Sequence, residues 1–205
     1  MIKAVVFDIG NVLISWRPDE IYNQVFGKER TKEFFDTVPI KTVNQALDRG
    51  APFFPTVQKL AQEYPEWSAE IMAWHDRWAE MVTPEIPQSI RILRALRSKG
   101  MPVFALSNFG DETYDIAQVR YPFLAEFDRR YISGRLKWIK PEPEIYEIVE
   151  RDSGLSGDAL LFIDDLQDNI DAAQSRGWQT HLFQTPQGFA DCVVAQGLLT
   201  IEEAQ

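Results

Sequence analysis

Four short segments of this chain hold residue types that can do chemistry together: Asp8, the pair Ser107 and Asn108, Lys140, and the pair Asp164 and Asp165. Gathered in one place they supply three carboxylates, a hydroxyl and an ammonium. Clustered carboxylates repel one another unless a cation sits among them. Mg²⁺ suits such a set, since it takes oxygen ligands and commonly uses one or two carboxylates plus a substrate phosphate. The lysine and the hydroxyl would hold the remaining phosphate oxygens. A carboxylate beside them could attack phosphorus and carry it as an aspartyl-phosphate. Singly, each residue has a plainer reading. Asp8 would be a strand-end turn, Ser107 and Asn108 a helix cap, Lys140 a surface lysine, and the acid pair a solvated turn. Two acids directly after a buried run are costly without a cation, so the set as a whole favours chemistry.

The elements around these residues explain how they could meet. Residues 2–7 form a short β-branched and aromatic run that stops at Asp8, with Gly10 and Asn11 next as a turn signal. Residues 101–106 repeat the pattern and stop at Ser107; residues 159–163 repeat it and stop at Asp164. A weaker run follows at 179–183. Such continuous runs read as buried parallel strands, whose C-terminal ends converge on one crevice. Helical patterns at 87–98, 143–151 and 168–176 alternate with them, which predicts a doubly wound α/β sheet. Residues 15–85 break the rhythm with aromatic-rich helical patterns and no clear strand run. They read as a helical subdomain inserted into a core of residues 1–14 and 86–205. Trp67, Trp74 and Trp78 lie at helical spacing and read as the insertion's own core. Residues 201–205 read as a frayed end.

Composition narrows the class. The chain has 205 residues, 45% of them hydrophobic and 25% charged, which fits a globular domain of one core with an insertion. Lys plus Arg is 21 and Asp plus Glu is 31, so the net charge of −10 disfavours nucleic-acid and anionic-membrane partners. The single cysteine, Cys192, reads as a small apolar residue and fits a reducing, cytoplasmic setting. No apolar run is long enough for a membrane helix, and no signal-peptide pattern is present. Two histidines and one cysteine give no zinc-ligand spacing, and no P-loop or dinucleotide-binding glycine pattern occurs.

The four segments, VVFDIGNVL (5–13), VFALSN (103–108), the Lys140–Pro141 pair and LLFIDDLQDNIDAAQSRGW (160–178), resemble in order the signature motifs of the haloacid dehalogenase-like hydrolase superfamily. The resemblance covers most of residues 1–14 and 87–183, and implies a Rossmann-like core with 15–85 as a cap. It implies Asp8 as nucleophile and metal ligand, the Gly10 carbonyl and Asp165 as further ligands to Mg²⁺, and Asp164 as partner of Asp165. It implies Ser107, Asn108 and Lys140 on the phosphoryl group, with Ser107 and Lys140 catalytic, and Asn169 as an orienting residue behind the ligands. Arg17, where the chain leaves the core, is a candidate substrate contact. The implied activity is Mg²⁺-dependent hydrolysis of a small phosphomonoester. The FDIGNVL form resembles a sub-branch that includes α-D-glucose-1-phosphate phosphatase-like proteins, which points to sugar phosphates. Family phosphatases usually carry a second aspartate two residues after the nucleophile; here that position is Gly10, so the proton donor is open. Asn11, His75 and the cap acids Asp19 and Asp76 are the groups to test in its place, although Asn11 could at most orient a water and a lone helical histidine reads first as an exposed bystander. Two alternatives stand: a slow or inactive phosphate-binding regulatory protein, and a metal-independent dehalogenase. A two-component receiver domain gathers similar residues but in a different order.

Overall fold

The computed structural model describes residues 1–205. Five parallel strands form the central sheet: β1 (Ala4–Phe7), β4 (Val103–Ser107), β5 (Arg129–Ile132), β6 (Leu160–Asp164) and β7 (Gln179–Leu182), in the spatial order β5-β4-β1-β6-β7. β1, β4 and β6 are buried along their whole length. Alternate side chains point to opposite faces. Val5, Phe7, Val103, Ala105, Leu161 and Ile163 pack on one face, under α7 (Pro87–Ser98) and α12 (Pro186–Ala195). Ala4, Val6, Phe104, Leu106, Leu160 and Phe162 pack on the other, under α10 (Pro143–Ser153) and α11 (Gln167–Ser175). This is the expected doubly wound arrangement. After β5 the chain crosses back over β1 to β6, so the C-terminal ends of β1, β4 and β6 border one crevice.

Two strands lie where the sequence shows no strand run. β2 (Ile14–Trp16) and β3 (Val82–Glu85) pair antiparallel and form a ribbon between core and insertion, straddling both ends of the 15–85 segment. Arg17 N–H donates to Met81 O at 2.8 Å and Ile86 N–H to Leu13 O at 2.7 Å, extending the ribbon at both ends. The helices beyond it are α1 (Pro18–Phe26), α2 (Lys28–Thr37), α3 (Ile40–Asp48), α4 (Phe53–Glu63), α5 (Ser68–Asp76) and α6 (Trp78–Met81). In α4, the buried residues Phe53, Val57, Leu60 and Ala61 follow the 3.6-residue period of an amphipathic helix. Tyr22 stacks on Phe34 with ring centroids 5.0 Å apart. Burying a ring of this size contributes roughly 2–3 kcal/mol. Trp67 and Trp74 belong to this packing, but Trp78 turns toward the crevice, where it meets Phe109 edge-on. Buried side chains of the insertion and of the first sheet face form one continuous apolar cluster.

The final residues do not fray. Ala204 is buried, its carbonyl accepts from Gln88, and Glu203 pairs with Lys99 at 2.7 Å.

The turn after α3 is clasped to the core. Arg49 pairs with Glu142 through both terminal guanidinium nitrogens, and Lys137 Nζ donates to Gly50 O at 3.3 Å and to Gly134 O at 2.7 Å. Gly50 has φ +82°, and a Cβ there would lie 2.0 Å from Lys137 Nζ and 2.2 Å from the Gly134 carbonyl oxygen. Gly27 has a similar φ of +80° with nothing within 4 Å of a Cβ. Gly50→Ala is therefore expected to cost ~1–3 kcal/mol more in denaturant unfolding than Gly27→Ala, because it adds overpacking to the shared backbone cost. Equal losses would show that the turn is not tightly docked.

Candidate active site

The crevice at the strand ends is a cavity of about 320 Å³ between core and cap. The structure brings together Asp8, Gly10, Asn108, Lys140, Asp165 and Asn169 in its lining, with Ser107 and Asp164 buried against them. Asp8 leaves β1 with its N–H bonded to Ile163 O at 2.8 Å, so the neighbouring strand fixes its backbone. Ligand oxygens of Asp8, Asp164 and Asp165 all lie within 4.8 Å of one another.

Lys140 sits between two of these acids. Its Nζ is 2.9 Å from Asp8 Oδ1 and 2.6 Å from Asp164 Oδ2, and its side chain is 1% exposed. Burial alone would depress the lysine pKa, but the two carboxylates outweigh it and hold it above the ordinary range. Asp164 is fully engaged: it accepts from Lys140, from Leu166 N–H at 2.8 Å and from the Asn169 amide at 3.0 and 3.1 Å. Its role in this geometry is to aim the lysine. Asn108 is spent on the same task. Its amide donates to Lys140 O at 2.9 Å and accepts from Lys140 N–H at 2.7 Å, so its side chain holds the lysine backbone. The buried Ser107 hydroxyl lowers the proton affinity of the Asp8 carboxyl beside it.

Asp8 is pushed up to about 6, first by burial and further by Asp164, against the pull of Lys140 and the Ser107 hydrogen bond. Its buried Oδ1 lies close to the ammonium but has no aligned hydrogen bond. Asp165 is half-buried, and one oxygen, Oδ2, accepts from the Asn11 amide at 3.0 Å. Burial raises its pKa, partly offset by that hydrogen bond. An orphaned buried carboxylate oxygen beside a second carboxylate is what a hard cation would relieve, and the donor set is all oxygen. The residues therefore fit a divalent metal.

Not every expected residue arrives. Arg17 is exposed and pairs with Glu20 at 3.3 Å, outside the cavity lining. His75 is wedged against Phe53 and Phe54 and bonds Asp76 at 2.8 Å; neither it, Asp76 nor the exposed Asp19 lines the cavity. The cap contributes instead Asn44 and Asp48 of α3, one helical turn apart, with the Asn44 amide donating to Asp48 Oδ2 at 3.0 Å. Burial, then the nearby charge of Asp8, pushes Asp48 up to about 7, while Lys140 pulls it down. The only sequence signal for this pair is its i,i+4 spacing beside Leu47 and before Arg49–Gly50. A polar pair so spaced normally marks a solvated helix face. The rest of the cap wall is apolar: Ile14, Trp16, Leu47, Trp78 and Val82, with Phe109 from the core.

The sesquiterpene phosphatase astK of Aspergillus oryzae is 26% identical to this chain over 178 residues, 85% of this chain and 86% of that protein. Among solved structures, a wild-type HAD family enzyme of Bacteroides thetaiotaomicron in complex with magnesium and inorganic phosphate superposes with a TM-score of 0.67. It is 22% identical, over 90% of this chain and 95% of that one. The L-2-haloacid dehalogenase of Xanthobacter autotrophicus with covalently bound chloropropionic acid gives a TM-score of 0.64 at 18% identity, over 100% of this chain and 87% of that one. At these identities the two structural likenesses are ones of fold. The family model described as haloacid dehalogenase-like hydrolase matches residues 2–177, a span that includes every strand end bordering the crevice, and this chain belongs to that family of hydrolases.

Proposed function

We propose that this hydrolase is a phosphatase, dependent on a divalent cation such as Mg²⁺, that cleaves small phosphomonoesters through an aspartyl-phosphate on Asp8. The observation that carries the reading is the orphaned Asp8 Oδ1 within reach of Lys140 and of the Asp164–Asp165 pair. Asp8 and Asp165, with the Gly10 backbone, would hold the metal. Bound there, the cation would neutralise phosphoryl oxygens and the charge of the nucleophile. Lys140, locked by Asp164 and Asn108, directs its ammonium at the position where phosphoryl charge develops, without reorganising during the reaction. Ser107 steadies the attacking carboxylate in the free protein and can turn its hydroxyl to a phosphoryl oxygen. The phosphatase activity named for the Aspergillus relative supports the reading. The dehalogenase alternative lacks support in the cleft: a metal-independent reaction has no use for the clustered carboxylates of Asp8, Asp164 and Asp165.

The wall also bears on the substrate. Eight apolar residues line the cavity, and no cap cation does. A second phosphate or a carboxylate on the substrate would find no partner there. The lining favours a monophosphate ester of an uncharged, mainly apolar alcohol over a sugar phosphate.

With Mg²⁺ the protein is expected to hydrolyse phosphomonoesters, and chelation to abolish the activity reversibly. Asp8→Asn should remove turnover and trapping of a phosphoryl-mimicking beryllium fluoride at residue 8. Full activity in chelator would overturn the metal assignment. On linear alkyl phosphates, kcat/KM should climb ~3–4-fold per added methylene until the cavity fills, from ~0.8 kcal/mol per buried CH₂. A preference for glucose phosphates over hexyl phosphate would overturn the apolar-substrate reading.

The metal-free protein should carry its own signature. Asp8, with an ordinary value of 3.8 and a folded value of about 6, binds its proton more tightly when folded. Its stabilising contribution is thus present below pH ~4 and lost as pH rises through ~6. In chelator, thermal melts of wild type should lose stability across that window relative to Asp8→Asn, and Mg²⁺ should recover it in wild type alone. Parallel melting curves would contradict the burial that raises the Asp8 proton affinity.

A further inference from the structure

The geometry points to Asp48 of the cap helix α3 as the proton donor and acceptor of the reaction, in place of a side chain that position 10 lacks. The inference rests on the phosphatase reading and adds to it the residue that handles the proton.

Ester cleavage leaves an alkoxide that needs a proton, and hydrolysis of the phosphoenzyme needs water to lose one. Gly10 supplies neither. The other groups around the cleft are committed elsewhere. Asp8 is the nucleophile, Asp165 faces the metal position, and Lys140 is held charged between Asp8 and Asp164. The Asn11 amide is tied at both ends, donating to Asp165 and accepting from Trp16 N–H at 2.9 Å. The Thr113 hydroxyl donates to Gly110 O. Asp48 is the one carboxyl that reaches the cavity from the cap side, where the leaving group must lie once the phosphoryl sits on the core.

Its placement is rigid. Asn44 holds Oδ2 at 3.0 Å, which leaves Oδ1 without a competing donor for the substrate side. The next two residues, Arg49 and Gly50, form the clasp to Glu142 and Lys137. Glu142 also accepts from Ile139 N–H at 3.1 Å, so the loop that carries Lys140 and the turn that carries Asp48 are fastened to each other. The turn next to Asp48 is therefore tied directly to the core loop that carries Lys140. Burial, which does not depend on the cation, is the first cause that brings its proton affinity near neutrality, where one group can serve as acid and then base.

The steps balance. Asp8 Oδ attacks phosphorus, the phosphorus–oxygen ester bond breaks, and the Asp48 carboxyl gives its proton to the departing alkoxide, which leaves as the alcohol. Asp48 is now a carboxylate. Water then attacks phosphorus, Asp48 takes a proton from it, and the phosphorus–oxygen bond to Asp8 breaks. Inorganic phosphate departs, with Asp8 ionised and Asp48 protonated as at the start.

Rapid-quench kinetics on the full chain with Mg²⁺ test this, since phosphorylation and hydrolysis are read separately. Asp48→Asn should slow phosphorylation by hexyl phosphate ~10²-fold or more, yet by p-nitrophenyl phosphate, whose leaving group needs no proton, less than ~3-fold. Its phosphoenzyme should accumulate as a burst. A Cβ at Gly10 meets nothing within 4 Å, so Gly10→Asp placed in the Asp48→Asn background should restore turnover at least ~10-fold. Phosphorylation by hexyl phosphate within ~3-fold of wild type, or an equal loss on both esters confined to KM, would overturn the assignment. If Asp48→Asn fails to fold, wild type decides alone. Phosphorylation rates nearly independent of leaving-group basicity support an acid, and a steep dependence overturns it. A wild type that forms no phosphoenzyme from any ester would refute the phosphatase reading itself and this inference with it.

Discussion

The ammonium of Lys140, enclosed between Asp8 and Asp164 at the end of a parallel sheet, is the constraint around which this molecule is organised. A buried cation is tolerated only when it is paired and its hydrogen bonds are met. The sheet supplies both acids from adjacent strands, β1 and β6, whose register brings Phe7 beside Ile163 and so the next residue of each to the same edge. Asn169 and the Leu166 N–H saturate Asp164, while Asn108 holds the lysine main chain. Within this cluster, the buried atom left without a hydrogen bond is Asp8 Oδ1. The fold thus satisfies the lysine and leaves the polar deficit where a cation and a phosphoryl group can meet it.

The division of labour follows from the architecture. The core presents charge from rigid strand ends. The cap presents an apolar wall, one amide and one carboxyl from α3. On the proposed reading, recognition of the reacting group is separate from recognition of the remainder of the substrate, as expected where one scaffold supports many specificities. The clasp at Arg49 and Gly50 is the point where the two halves are referenced to each other. As an exposed ion pair it contributes only ~0–1 kcal/mol. The close approach that Gly50 permits fixes the geometry.

Much of this was legible in the chain. β1, β4 and β6 announce themselves because strands covered on both faces are continuous apolar runs, and the polar residues that end them are the site. β5 was not legible: Arg129–Ile132 is an edge strand whose first two residues are exposed arginines. The ribbon is three and four residues long and contains Pro84, too little for a periodic signal. Arg17 was a reasonable contact from its place at the exit of the first strand, but Glu20, one turn along α1, takes its guanidinium outward. Asp48 and Asn44 were invisible for the opposite reason. Their facing is set by how α3 lies across the crevice, a tertiary fact that helical spacing alone does not contain.

The single apolar cluster that runs from cap to core has a thermal consequence. Swinging the cap away would wet side chains such as Leu47, Trp78 and Phe109 that now face one another or the cavity. Closure must then release water from apolar surface and carry a negative heat-capacity change. Its driving force weakens on cooling. Where the opening of the cap limits turnover, the Arrhenius plot will bend, and the curvature will report the hydration of the facing cap and core surfaces and not the bond-breaking step.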